Sequence, residues 1–126
     1  MSRRLHHVGV VVASVDAVGD ALGPTILRFH DKTQRVRVRF VGTERGLIEL
    51  IEPAADDSPV SATLAKGGGL HHLAFEVDDF QKACAAMRQN NAIPLGPAWQ
   101  GFENRWLAFF MPRGAQLPEE IVGPRP

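Results

Sequence analysis

The chain has 126 residues, a length typical of one domain with a single hydrophobic core. Hydrophobic residues make up 44% and charged residues 22%, and fourteen basic residues balance fourteen acidic ones, which argues against a nucleic-acid partner or an anionic membrane. The single cysteine, Cys84, excludes an internal disulfide, and no segment reaches the ~18 to 20 apolar residues of a membrane span. We therefore expect a cytoplasmic globular protein.

A repeated octet is the main feature of the sequence. LHHVGVVV at residues 5–12 recurs as LHHLAFEV at residues 70–77, an offset of 65 residues (7 to 72), and four of the five histidines lie in these two copies. Each copy is followed by the pattern of a helix and then three strands. The repeat predicts two βαβββ modules in one chain.

Module one, at about residues 5–53, begins with the strand that contains the first octet. Ser14 marks the start of a helix that extends to Leu22 and that Gly23 and Pro24 would end. Alternating apolar residues then predict strands at 26–29, 36–41 and 47–51.

A linker helix, at about residues 58–69, precedes module two, which covers about residues 70–122. In module two the octet strand is followed by a helix from Asp78 or Asp79 to about Gln89, and by strands at 93–95, 106–111 and 117–122. A module of about fifty residues hardly buries a sheet face alone. We therefore predict a single α+β domain in which two paired βαβββ modules form a curled mixed sheet around a shared cleft, with the helices outside.

Strand alternation selects the candidate functional residues. If the alternate valines of the first octet lie under the helix, His7 faces the cleft, and the same parity turns His72 inward. The closing strands LIELIEP and LPEEIVGP align Glu49 with Glu120, and a carboxylate among apolar residues is costly to bury without a partner. Two imidazoles and two carboxylates suit a divalent transition metal. The alternative for each residue alone is a hydrogen-bonded strand-end histidine or a surface carboxylate.

With these residues the chain resembles the vicinal oxygen chelate superfamily, and within it the methylmalonyl-CoA epimerase and glyoxalase I branch. The resemblance is carried by LHHVGVVV, by LIELIEP followed by DDSPVSATLAKGGG, by GLHHLAFEVDD and by a closing EEIV. It implies a divalent ion (Co, Ni, Mn, Zn or Fe) held by His7, Glu49, His72 and Glu120. It also implies proton transfer next to a carbonyl, with Glu120 or Glu49 as the base, and a homodimer. Pro118 predicts that the last strand is bulged or at a sheet edge.

The strand QRVRVRFV bears on the substrate. If its apolar residues lie under the helix, Arg37 and Arg39 face the cleft, where guanidinium groups would bind a small anionic substrate. The matching strand of module two would then turn Trp106 and Phe110 the same way. The alternative for the arginines is a solvated edge strand whose charges deter aggregation.

We interpret the chain as a metal-dependent isomerase, epimerase or lyase acting on a small anionic carbonyl compound, such as an acyl-CoA or a glutathione-type adduct. Two rival hypotheses are a metal-free ligand-binding or antibiotic-sequestering protein of the same fold and an Fe(II) dioxygenase. Trp99 and Phe102, in the loop at 97–105, would form either a pocket wall or a dimer contact. Cys84 lies in the apolar stripe of a helix and is expected in the core.

Overall fold

The structure, a computed structural model, describes residues 2–126. The chain divides into two compact units, which we call the first unit (His7–His71) and the second unit (residues 2–6 and 72–126). The boundaries fall within strand β1 (Arg3–Val11) and strand β5 (Gly69–Val77). Within residues 2–126, no helix is long and apolar enough to span a membrane.

The first unit contains one sheet and one short helix. Its elements after β1 are β2 (Thr25–Asp31), β3 (Val36–Gly42), β4 (Leu47–Pro53) and α1 (Ser61–Ala65). The strand order is β2-β3-β4-β1, in which β4 is parallel to β1 and the other neighbours are antiparallel. The first strand of the unit is therefore paired with the last.

The second unit repeats this strand order. After β5 come α2 (Phe80–Gln89), β6 (Ile93–Pro94), β7 (Trp99–Gln100), a 3-10 turn (Phe102–Asn104), β8 (Trp106–Met111) and β9 (Glu119–Val122). The order is β5-β9-β8-β6, with β9 parallel to β5, and β7 also pairs with β8. The predicted α+β class is thus confirmed, and the repeated octets occupy equivalent strands.

Helix α2 forms where the sequence predicts it. The side chain of Asp79 caps the helix by accepting a hydrogen bond from the Lys82 amide at 3.0 Å. The apolar stripe of α2 includes the buried residues Ala83 and Cys84 and packs on the sheet. Burial raises the pKa of the Cys84 thiol, which suits a core residue and disfavours a nucleophile.

The helix predicted from Ser14 to Leu22 is wrong, because residues 15–22 form consecutive turns. Gly19 has a φ of +68°, outside the right-handed helical region, and its amide bonds to the Asp16 carbonyl, three residues earlier. The Val15 carbonyl, which would accept the Gly19 amide in an α-helix, instead accepts the Arg39 side chain at 2.9 Å. A tertiary contact therefore replaces the helical hydrogen bond.

Strand β9 differs from the expectation that it is bulged or at a sheet edge. It lies between β5 and β8 and pairs with both in regular register. Pro118 precedes the first residue of β9, and its carbonyl accepts the Leu73 amide at 3.2 Å. Because Pro118 is outside the strand, its missing N–H removes no hydrogen bond from the ladder.

Candidate functional site

In the first unit, strands β1 and β4 place His7 beside Glu49. The imidazole Nε2 lies 3.4 Å from Glu49 Oε1, and the two residues are only 1% and 7% exposed. Gly9, two residues after His7, is the register partner of Glu49 in the parallel pair. The ring of Phe40, the partner of Glu49 on β3, meets the imidazole edge-on with 5.2 Å between centroids.

In the second unit, strands β5 and β9 place His72 beside Glu120 in the same way. The imidazole Nε2 lies 3.4 Å from Glu120 Oε1, and the two residues are 1% and 3% exposed. Ala74, two residues after His72, is the register partner of Glu120. The ring of Phe109, the partner of Glu120 on β8, meets the imidazole edge-on with 4.9 Å between centroids.

The two buried His–Glu pairs therefore share one local design, in which a small residue two positions after the histidine faces the glutamate. The small residue matters because register partners have neighbouring side chains on the same face of the sheet. Each histidine and each glutamate offers a ligand atom for a metal ion. Imidazole nitrogen and carboxylate oxygen suit divalent transition metals, and a bound cation would compensate the burial of the carboxylates.

The structure corrects the predicted orientation of Arg37 and Arg39. Both lie on the face of β3 opposite Phe40 and therefore away from the His7–Glu49 pair. Arg39 is 2% exposed and donates to the Val15 carbonyl, while Arg37 pairs with Glu52 at 3.2 Å. The apolar face of β3 was expected beneath a helix and instead contains the residue that contacts His7. Arg39 therefore holds the turn segment (residues 15–22) on β3, and Arg37 joins β3 to β4.

The predicted orientation of Trp106 and Phe110 towards the cleft is also wrong, because both residues lie on the face of β8 that α2 covers. Phe110 is 1% exposed and belongs to the core that α2 covers, together with Ala108. Trp106 lies beside Phe80 of α2, with 6.4 Å between ring centroids. Both residues therefore face the helix, and the opposite face of β8 contacts His72.

The aromatic neighbours of the two histidines are the site residues that sequence reasoning missed. Phe40 contacts His7 and Phe109 contacts His72, and Trp99 stacks on Phe109 with 5.6 Å between centroids. A signal was present in the sequence, since each closing strand is preceded by a strand with a phenylalanine. To use this signal one must know which residues of neighbouring strands are paired, and the sequence alone does not give that register.

A network of charges surrounds Arg105 in the second unit. The Arg105 side chain is fully buried and bonds to Glu76, whose other carboxylate oxygen accepts from Arg4. The Arg105 guanidinium, and secondarily Arg4, holds the pKa of the Glu76 carboxyl below its ordinary value of 4.5, against the effect of burial. Glu76 is therefore a poor proton carrier at neutral pH.

Known proteins resemble the chain in sequence and in fold. A profile described as the Glyoxalase/Bleomycin resistance protein/Dioxygenase superfamily matches residues 6–110. The chain is 37% identical to the uncharacterized protein YqjC of Bacillus subtilis over 120 residues, which cover 87% of this chain and 84% of YqjC. It is 31% identical to an ethylmalonyl-CoA/methylmalonyl-CoA epimerase of Cereibacter sphaeroides over 103 residues, which cover 76% and 77% of the two chains.

Among solved structures, the methylmalonyl-CoA epimerase of Mycobacterium tuberculosis superposes with a TM-score of 0.87 at 26% identity, over 97% of this chain and 88% of that one. The relatives that are named for an activity are thus enzymes, and specifically epimerases. On the profile match, the chain belongs to the glyoxalase/bleomycin resistance protein/dioxygenase superfamily.

Proposed function

We propose that the chain is a metal-dependent epimerase that transfers a proton at the carbon next to the thioester carbonyl of an acyl-CoA. The observation that carries this proposal is the buried His–Glu pair that occurs twice with the same geometry. Relatives named as epimerases of methylmalonyl-CoA and ethylmalonyl-CoA support the substrate class. A Streptomyces coelicolor methylmalonyl-CoA epimerase, whose structure contains 2-nitronate-propionyl-CoA, is 25% identical to the chain with a TM-score of 0.84.

In this proposal His7, Glu49, His72 and Glu120 hold one divalent ion, which is Co, Ni, Mn, Zn or Fe. The donor set fits such an ion, because all four side chains are buried and each offers a nitrogen or a carboxylate oxygen. When bound, a divalent ion polarises a carbonyl oxygen and stabilises the negative charge that builds up when the neighbouring carbon loses its proton.

The two carboxylates are the proton carriers in this scheme. Epimerisation requires that a proton leaves one face of the carbon and that a proton returns to the opposite face. We assign the removal to Glu49 or Glu120, which would leave the metal to accept the proton. The other of the two would hold a proton as a carboxylic acid beforehand and return it to the opposite face, so that one carboxyl group gains the proton that the other gives up. Phe40 and Phe109 give each pair an apolar neighbour, which limits exchange with water. A homodimer in the cytoplasm remains our expectation for the assembly and location.

The experiment is deuterium incorporation. The purified protein is loaded with Co²⁺ and incubated with methylmalonyl-CoA or ethylmalonyl-CoA in D₂O, and the proton at the carbon next to the thioester is followed by NMR. We expect exchange that requires the metal and that falls by about a hundredfold or more in Glu49→Gln and Glu120→Gln, as is usual for the loss of a general base.

The chain offers matched controls for the ligands. His7→Ala and His72→Ala should weaken Co²⁺ binding, whereas His71→Ala, which replaces the neighbouring octet histidine outside the proposed ligand set, should bind Co²⁺ as the wild type does. Absence of Co²⁺ binding together with tight binding of the thioester would contradict the proposal and favour a metal-free binding protein. Co²⁺ binding without exchange at carbon would reject the epimerase chemistry alone.

A further inference from the structure

Arg105 is the largest fully buried side chain of the second unit, and its charge is divided among three acceptors. Its Nε donates to the Gly123 carbonyl at 2.8 Å, its Nη1 to Glu103 at 3.3 Å, and its Nη2 to Glu76. A buried guanidinium is costly unless it is paired and hydrogen-bonded in this way. Its position therefore depends on several distant parts of the unit.

Two of these acceptors lie on or directly after the strands that contain His72 and Glu120. Glu76 is on β5, four residues after His72 and on the same face. Gly123 directly follows β9, three residues after Glu120. Since Glu76 is the register partner of Val122, Arg105 joins the two strands at their shared end.

Strand β9 needs such a contact because it is short. It has four residues, and the residue before it is a proline, which cannot donate a backbone hydrogen bond. A shift of one residue in the register would move the Glu120 carboxylate to the opposite face, where α2 packs. The bond from Arg105 to the Gly123 carbonyl opposes such a shift, together with the pairing of β9 to its two neighbours.

The loop that presents Arg105 has an unusual backbone. Glu103 and Asn104 both adopt positive φ, at 55° and 56°, a conformation that residues other than glycine rarely adopt twice in succession. Glu103 also contacts the segment that follows β9, since its carboxylate lies 3.4 Å from the Arg125 guanidinium. Both contacts of the loop with residues 123–125 thus depend on this conformation, which is typical of backbone held for function.

We infer that Arg105 is a positioning residue for the His72–Glu120 pair: it clamps the end of β9 to β5 and so holds the Glu120 carboxylate beside the imidazole. The inference rests on the proposed function where it concerns the metal. Arg105 itself touches neither substrate nor ion in this scheme, and it acts through the register of β9.

The test compares Arg105→Gln with Glu76→Gln and with Met87→Ala. Met87 is a residue of α2 that packs against the core of the second unit, so that its truncation destabilises the same unit without touching the clamp. Two quantities are measured well below the unfolding temperature: Co²⁺ affinity, and hydrogen exchange of the β9 amides relative to the α2 amides in the metal-free protein. If Arg105→Gln does not fold, Arg105→Lys replaces it, since lysine keeps the charge without the three-way geometry.

In Arg105→Gln we expect the β9 amides to exchange about tenfold faster relative to α2, the effect of one lost buried hydrogen bond. Co²⁺ should bind at least about tenfold more weakly, as is usual when an outer partner of a ligand is removed. Glu76→Gln should lie in between, because an amide oxygen still accepts from Arg105. Because Met87 is on α2, Met87→Ala should speed the exchange of the α2 amides without speeding that of β9, and it should leave the Co²⁺ affinity unchanged.

The inference is overturned if Arg105→Gln matches Met87→Ala in both measurements. If the wild-type protein binds no Co²⁺, the proposed function fails, and the exchange data alone decide on the clamp. In that case faster exchange confined to β9 supports the positioning role of Arg105, and unchanged relative exchange rejects it.

Discussion

Replacing Arg39 with methionine should destabilise the first unit without weakening the binding of an anionic substrate. The Arg39 side chain is 3% exposed and donates to the Val15 carbonyl at 2.9 Å, to Thr25 Oγ1 at 2.8 Å and to Asp20 at 2.9 Å. Asp20 is 87% exposed, so that ion pair contributes close to zero. The loss of a partner for the carbonyl of the buried Val15 costs about 1 to 3 kcal/mol in the free energy of unfolding, whereas the hydroxyl of the exposed Thr25 can bond to water instead.

Arg37→Met is the matched control, because it is the same substitution two residues away on the same face of β3. The Arg37 side chain is 53% exposed and forms an ion pair with Glu52 at 3.2 Å, so its loss should cost less than about 1 kcal/mol. Urea unfolding followed by circular dichroism measures both variants, and Arg39→Met should also lower the unfolding temperature by roughly 10 °C.

Substrate affinity distinguishes this reasoning from the simpler expectation that both arginines bind the substrate. If KM for the acyl-CoA, measured well below the unfolding temperature, rises in Arg37→Met while its stability is unchanged, the arginines face the ligand and our assignment of the faces is refuted. Equal losses of stability in the two variants would also contradict it, because the argument depends on the difference in their burial.

Three further outcomes are expected. Asp79→Ala removes the cap of α2 and should cost about 1 kcal/mol in chemical unfolding; a neutral result would mean that the cap is not formed in solution. The pKa of Glu76 is lowered by folding, so its ion pair stabilises the protein above pH 4.5 and this advantage over Glu76→Gln should vanish in unfolding experiments as the pH falls below that value. An advantage that persists in acid would contradict the shift. Ala74→Val adds methyl groups opposite Glu120 and should cost about 1 to 3 kcal/mol in unfolding while also weakening Co²⁺ binding. Ala83→Val, on the buried face of α2, should lose stability alone, and equal effects on the metal would reject a special role for position 74.

Most of the fold could be predicted from the sequence, because the patterns that identify its strands and its long helix are local. An apolar strand with period two and a capped helix with an apolar stripe can be recognised within about ten residues, and β3, β8 and α2 lie within a few residues of their predicted bounds. The helix from Ser14 to Leu22 failed because the contact that breaks it comes from Arg39, far along the chain. No pattern within the segment identifies the side chain that takes the place of a helical hydrogen bond.

The orientation of the middle strands failed for a different reason. Alternation states which residues of a strand share a face, but it does not state what covers that face. Val36, Val38 and Phe40 were placed beneath a helix because they are apolar, yet the face that contacts His7 is apolar as well. Where both faces of a strand are buried, hydrophobicity alone cannot tell which face lies towards the functional site. A charged residue such as Arg39 can lie on a buried face if its donors are hydrogen-bonded.

The better guide is a functional residue whose strand partners are known. Glu49 and Glu120 each have a small residue on one neighbouring strand, Gly9 or Ala74, and a phenylalanine on the other. The small residue leaves space for the carboxylate, and the aromatic ring limits the positions that the imidazole can adopt. Either feature in one strand is common and would carry little weight. Core packing alone does not account for both features in the same register in two units, because packing constrains volume and does not require the same pair of polar side chains at equivalent positions.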